Sequence, residues 1–161
     1  MTMNKCKEGG GWSYRLDCSS ISYEECVQRL VHTVVGDGNL LLNVGPMPNG
    51  EFPEDQVAVL KRMGKWLKKN GESIYGTRGG PLPNGEWGGM TFKGNKIYIH
   101  ILNWPEDGSP LVLPALEQKI IKSKGFNVKK PVVKQTSSSL EINLAPEKRD
   151  PVDSIILLEI N

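Results

Sequence analysis

The sequence predicts an α/β unit followed by an all-β unit, and three observations carry that prediction. Residues 39–44 form a short apolar run, Leu40-Leu41-Leu42 with Val44, bounded by Gly38 and Gly45-Pro46 and without polar alternation. Such a run reads as a strand buried on both faces, the kind found in parallel sheets covered by helices. A helical pattern stands on each side of it. From about residue 89 onward the apolar spacing changes to alternation in short runs separated by Gly, Pro and Ser, the pattern of an antiparallel sandwich. A lone strand cannot complete an α/β fold, so the first unit is expected to need partners.

Taken in order, residues 1–21 read as a loop with Gly9-Gly10-Gly11 and the segment Trp12-Ser13-Tyr14-Arg15-Leu16-Asp17. A loop of that length in a compact domain tends to be functional. Ser22-Tyr23-Glu24-Glu25 has the form of a capping box, with Ser22 as N-cap and Glu25 reaching back. Tyr23, Val27, Leu30, Val31 and Val34 then give one apolar stripe, and Gly36 or Gly38 supplies the left-handed stop. After the run at 39–44, Met47 to Glu51 is turn-rich. Pro53, Glu54 and Asp55 suit a helix start. Val57, Leu60, Met63 and Leu67 make that helix's stripe, and Gly71 closes it.

Residues 76–88 are rich in Gly and Pro and read as a connection. Beyond them Met90-Thr91-Phe92 and Ile97 to Ile101 form a hairpin around Lys93-Gly94-Asn95-Lys96. Further strands are expected at 111–113, 119–121, 132–134, 140–144 and 154–160.

Composition narrows the partners. With 161 residues the chain is one domain or two small ones. The net charge of +2 and the absence of a long basic run give no reason to expect nucleic acid or an anionic membrane. No stretch approaches a transmembrane helix in length, and Met1 to Cys6 carries no signal-peptide core, so compartment is not legible. Of the three cysteines, Cys6 and Cys18 can bridge in an oxidising compartment, while Cys26 fits a helix as a small packing residue. His32 and His100 lack ligand-spaced partners and read as structural or exposed, not as metal ligands.

Gly38-Asn39-Leu40-Leu41-Leu42-Asn43-Val44-Gly45-Pro46, then Gly64-Lys65-Trp66-Leu67, Asn70 to Thr77 and Asn103-Trp104-Pro105, closely resemble the C-terminal part of the α-L-fucosidases of glycoside hydrolase family 29. Trp12-Ser13-Tyr14 resembles that family's Trp-Gly-Tyr segment, with Ser13 in place of the glycine. The resemblance implies the last helix–strand–helix of a (β/α)8-like barrel (residues 1–75), a connection (76–88) and a C-terminal β-sandwich (89–161). On that template Met1 falls at an internal position, which predicts a fragment of a longer protein. The implied reaction is retaining hydrolysis of terminal α-L-fucosyl groups from fucosylated glycans, with neither metal nor organic cofactor. Members of the family commonly work outside the cytoplasm or in lysosomes.

A retaining glycosidase needs two carboxyl groups about 5 Å apart. No residue of this chain matches the family's nucleophilic aspartate. Asp17 is the candidate general acid/base, with Trp12 and Tyr14 expected to desolvate it and favour its protonated form. Its plainer reading is a solvated loop carboxylate, or a local backbone cap. Glu8 is the weaker alternative. Trp12 is the candidate substrate-binding residue, offering an apolar face to the fucose C5 methyl, or it simply packs the loop. Asn43 is expected to hydrogen-bond the loop that follows it, and Trp66 and Trp104 to be packing residues. Trp87 is ambiguous. An autonomous carbohydrate-binding sandwich is the rival reading, with Tyr98 and Trp104 as its nearest hint. The unpaired apolar run at 39–44 also predicts self-association.

Overall fold

A computed structural model of the chain describes residues 1–7 and 11–161. Glu8, the alternative acid/base, and Gly9-Gly10 lie outside the described residues.

Helix α1 spans Tyr23–Val35 and buries Cys26, Val27, Val31 and Val35. Ser22 is its N-cap, its Oγ accepting from the Glu25 N–H at 3.0 Å. The other half of the expected capping box is not made, because the Glu25 carboxylate pairs with Arg29 one turn on. The stop also differs from expectation. Neither Gly36 (φ −84°) nor Gly38 supplies the left-handed residue; Asp37 does, at φ 63°. Its side chain explains the choice, since Asp37 accepts from the Gly79 N–H at 3.1 Å and pairs with Arg78. The helix end is thereby tied to the first strand of the sandwich.

Helix α2 spans Glu54–Asn70, with Pro53 as its N-cap. Its most buried residues are Gln56, Met63, Trp66 and Asn70, a stripe rotated slightly from the expected Val57, Leu60, Met63, Leu67. Gln56, a polar residue on that stripe, is held inward by hydrogen bonds described below. The chain then continues into a 3₁₀ turn, Gly71–Ser73.

The run at 39–44 forms no ladder, which corrects the expected strand. One parallel bridge joins Asn43 to Thr2, through Met3 N–H to Asn43 O and Asn43 N–H to Met1 O, both 2.9 Å. Leu41 is 76% exposed, and Leu40 and Leu42 are half-buried. A buried parallel strand needs neighbours on both edges, and among the described residues only 1–3 flank this one. The expectation that no neighbour exists is therefore also corrected. Residues 1–21 are likewise not a plain loop. Strands β1 (Asn4–Cys6) and β2 (Cys18–Ser20) pair antiparallel, with Cys6 opposite Cys18 and a disulfide between them. Three-residue strands are too short to announce themselves by alternation.

The remaining strands are β3 (Arg78–Gly79), β4 (Gly88–Lys93), β5 (Lys96–Ile101), β6 (Leu111–Pro114), β7 (Ile120–Gly125), β8 (Val132–Gln135), β9 (Ser139–Asn143) and β10 (Ser154–Ile160). They form two antiparallel sheets, β3-β4-β5-β10-β7 and β6-β9-β8. The glycine-rich segment is thus more than a connection, since Arg78 and Gly79 pair with Phe92 and Thr91.

The central strands of the large sheet, β5 and β10, are buried on both faces. Ile97, Ile99, Ile101, Ile156 and Leu158 pack with Leu111, Leu140 and Ile142 of the small sheet. Tyr98, Ile155 and Leu157 pack with α1 and α2 instead. Period-two alternation places successive residues of β5 and β10 in two separate cores. The result is three layers: helices, large sheet, small sheet.

Polar groups lock the helical layer to the sheet. His100 Nδ1 lies 2.7 Å from Asp153 Oδ2, and neither side chain has any exposure. Thr91 Oγ1 lies 3.4 Å from His100 Nε2 and donates to Ser73 O at 2.7 Å. Beside them Tyr98 Oη donates to Glu72 Oε1 at 2.6 Å, and Lys96 reaches the same oxygen. Burial and the Glu72 bond hold the Tyr98 phenol above its ordinary range. His100 is structural, as expected, and His32 is exposed. Cys26 is buried, which pushes its thiol up to about 11. Among the described residues no helix is long and apolar enough to cross a membrane.

Candidate functional site

The site candidates sit on the loop between β1 and β2, and that loop is held by buried amides. Asn4, only 5% exposed, donates from Nδ2 to Gly11 O (3.0 Å) and Ser13 O (2.8 Å). Its Oδ1 accepts from Gln56 Nε2 at 2.7 Å, and Gln56 Oε1 accepts from Gly45 N–H at 3.3 Å. Asn43 Nδ2 donates to Trp12 O at 2.8 Å, between the two carbonyls that Asn4 holds. Thr2 Oγ1 adds a bond to Gly11 O at 3.2 Å.

This arrangement corrects the expectation for Asn43. Its hydrogen bond is structural, but it runs back to the Trp12 loop and not forward to residues 46–51. The reason is the parallel pairing of residues 1–3 with 41–43, which draws the segment after β1 across the end of the run. Gly45 completes the junction. A Cβ there would stand 2.9 Å from Tyr14 N and 3.0 Å from Asn4 Nδ2. Gly45→Ala is therefore expected to displace the loop and to lower stability by about 1–3 kcal/mol, the usual cost of overpacking, measured by urea unfolding. An unchanged midpoint with an unchanged Trp12 resonance would contradict this.

The loop's outer side carries the candidate chemistry. Trp12 is 62% exposed although the carbonyls around it are anchored. Asp17 forms a two-point pair with Arg15, Nε to Oδ1 at 2.9 Å and Nη2 to Oδ2 at 2.8 Å, with 40% of its side chain exposed. The cover expected from Trp12 and Tyr14 is thus not provided in this chain, and Asp17 stands as a wet ion pair. Beside it a cleft of about 430 Å³ is lined by Tyr14, Arg15, Leu16, Glu54, Asp55 and Gln56. Asp55 also accepts from Ser20 N–H at 2.8 Å, fastening β2 to the start of α2.

Elsewhere the tryptophans are packing residues. Trp66 is buried, and Trp104 lies under the Arg149 guanidinium (4.4 Å to the ring centroid) while donating to Ser154 Oγ at 3.2 Å. Trp87 is half-buried against the sandwich core. The Tyr98–Trp104 hint for a sugar-binding face does not hold. Tyr98 is fully buried toward the helices, and Trp104 packs into the core on the sheet's other side. Asn4 and Gln56 were not singled out by sequence reasoning, because isolated amides carry no periodic signal.

The family model described as alpha-L-fucosidase matches residues 2–72. The chain is similar to the plasma α-L-fucosidase of Homo sapiens, 34% identical over 135 residues, which is 75% of this chain and 28% of that protein. It is also 34% identical over 105 residues to the α-L-fucosidase of Branchiostoma floridae, covering 60% of this chain and 23% of that protein. Among solved structures, α-L-fucosidase isoenzyme 1 from Paenibacillus thiaminolyticus superposes with a TM-score of 0.86 at 29% identity, over 100% of this chain and 39% of that one. The α-fucosidase of Thermotoga maritima gives 0.78 at 28% identity, over 98% and 38%.

A helix pair laid on an antiparallel β-sandwich is thus an arrangement shared with solved α-L-fucosidases. The chain corresponds to the C-terminal portion of an α-L-fucosidase family member. It spans about a quarter of the length of the curated relatives it matches.

Proposed function

We propose that this chain supplies one wall of the sugar site of a retaining α-L-fucosidase. In that reading residues 1–75 are the closing part of a (β/α)8-like barrel, 76–88 the connection and 89–161 the sandwich. The observation that carries it is the parallel pairing of residues 1–3 with 41–43 between α1 and α2. With that pairing, Trp12 stands beside Asn43, at the C-terminal end of the run, the end where barrel enzymes build their sites. Leu16 and Leu41, at 91% and 76% exposure, supply apolar surface for the rest of such a barrel to cover. A second copy of the chain, meeting the free edge of residues 39–44, is the alternative cover.

The roles follow from the chemistry of retention. One carboxylate attacks the anomeric carbon while a carboxylic acid protonates the leaving oxygen and later takes a proton from water. Asp17 is the acid/base candidate here, and Trp12 the platform for the apolar face of fucose. Donating a proton requires Asp17 to leave Arg15 for a drier setting. With no match for the nucleophile in the chain, hydrolysis by these residues alone is not expected.

Titrating the ¹⁵N-labelled chain with L-fucose tests the reading. Shifts at the Trp12 indole and residues 11–17 are expected, with β4, β5 and β10 unmoved. Shifts confined to Trp87, Trp104 and the sandwich would instead support the autonomous carbohydrate-binding module.

A further inference from the structure

We infer that Asn4, Gln56 and Asn43 are positioning residues that fix Trp12 as a rigid platform for the sugar; the sugar contact itself rests on the function proposed above. Three consecutive carbonyls, Gly11 O, Trp12 O and Ser13 O, each accept from a side-chain amide. Asn4 spends both Nδ2 donors on this backbone, and its oxygen is claimed by Gln56. That leaves no second orientation for the amide that satisfies every partner. Gln56 is itself 3% exposed and held by Gly45 N–H, so the clamp is anchored in the packed junction between α2 and the run at 39–44.

The three bonds that reach the loop all go to backbone carbonyls. None touches the indole, which the clamped loop leaves 62% exposed. A loop fixed by its main chain while its Trp12 indole stays in water has the geometry of a preorganised binding element. The ordering of residues 11–13 is completed on folding and is not drawn from the binding free energy of the sugar. An aromatic on an unanchored loop would lose affinity to that ordering each time it bound.

The test uses backbone ¹⁵N relaxation of the full chain, with Asn4→Asp and Asn43→Ala as variants. Asn4→Asp keeps the shape but replaces two donors with an oxygen facing two carbonyls. Asn43→Ala removes the bond to Trp12 O and a longer one to Thr2 Oγ1 (3.4 Å) from a half-buried site, so it remains informative if Asn4→Asp fails to fold. Order parameters for Gly11 to Tyr14 near the rigid value of about 0.85 are expected in the parent chain, falling below about 0.6 in a folded variant, with β4, β5 and β10 unchanged. L-Fucose should then bind the variants about three- to tenfold more weakly. Equal order in parent and variants overturns the positioning role, whatever the sugar does. Loss of order in the variants, with no response of the parent Trp12 indole to fucose, upholds the positioning role and overturns the sugar site.

Discussion

Asp153→Ala is expected to lower the unfolding free energy by about 1–3 kcal/mol, the cost of leaving a buried hydrogen-bonding group without its partner. Asp153 and His100 have no exposure and lie 2.7 Å apart, so deleting the carboxylate strands an imidazole nitrogen where water does not reach. The damage would spread. His100 also meets Thr91, and Thr91 bonds the 3₁₀ turn after α2, so the contact between sheet and helices loosens together. Burial pushes the Asp153 carboxyl above the ordinary range, and the His100 ring pulls it part of the way back. The folded state therefore holds this proton more tightly than the unfolded state does. Its contribution is full below the ordinary carboxylate pKa and is lost as pH rises through the folded value. Urea unfolding at several pH values checks both points: the parent chain should show this loss, and Asp153→Asn should not. An Asp153→Ala midpoint within error of the parent would refute the structural role of the pair.

Replacing both Cys6 and Cys18 with serine is expected to cost about 3 kcal/mol, from the loop-closure entropy returned to the unfolded chain. The two cysteines are 12 positions apart and enclose Trp12, Tyr14, Arg15 and Asp17. The loss should be larger near the site than in the sandwich, because the bridge joins β1 directly to β2 and each of these strands is only three residues long. Hydrogen exchange with and without reductant measures this directly. Faster exchange at Met3, Cys18 and Ile21 with unchanged protection in β5 and β10 is the expected pattern. Uniform protection throughout would show that the amide clamp alone maintains the loop.

The sandwich was the most legible part of the chain because its strands alternate against two cores. The hairpin at 90–101 and the final strand stand where the pattern put them, and the long buried run Ile155 to Leu158 reflects a sheet covered on both faces. Ser22 was equally legible, since a cap acts locally. The run at 39–44 misled because its composition describes a strand with neighbours on both edges, while residues 1–3 flank one. Asp37 took the left-handed position from two adjacent glycines through a tertiary bond to Gly79 that no local rule contains. The site was legible only as a segment. Sequence located Trp12 and Asp17 on one loop but not the Arg15 partner that occupies Asp17, nor the Asn4–Gln56 clamp beneath. The His100–Asp153 lock was hidden for a similar reason, as its partners stand 53 positions apart.

Under the proposed function this chain provides a wall, and not the whole, of a fucosidase site. Hydrolysis of an aryl α-L-fucoside by the purified 161-residue protein is the most direct measurement of it. No turnover above the uncatalysed rate is predicted. Turnover that disappears in Asp17→Asn would contradict the claim, because a complete catalytic pair would then reside within these residues.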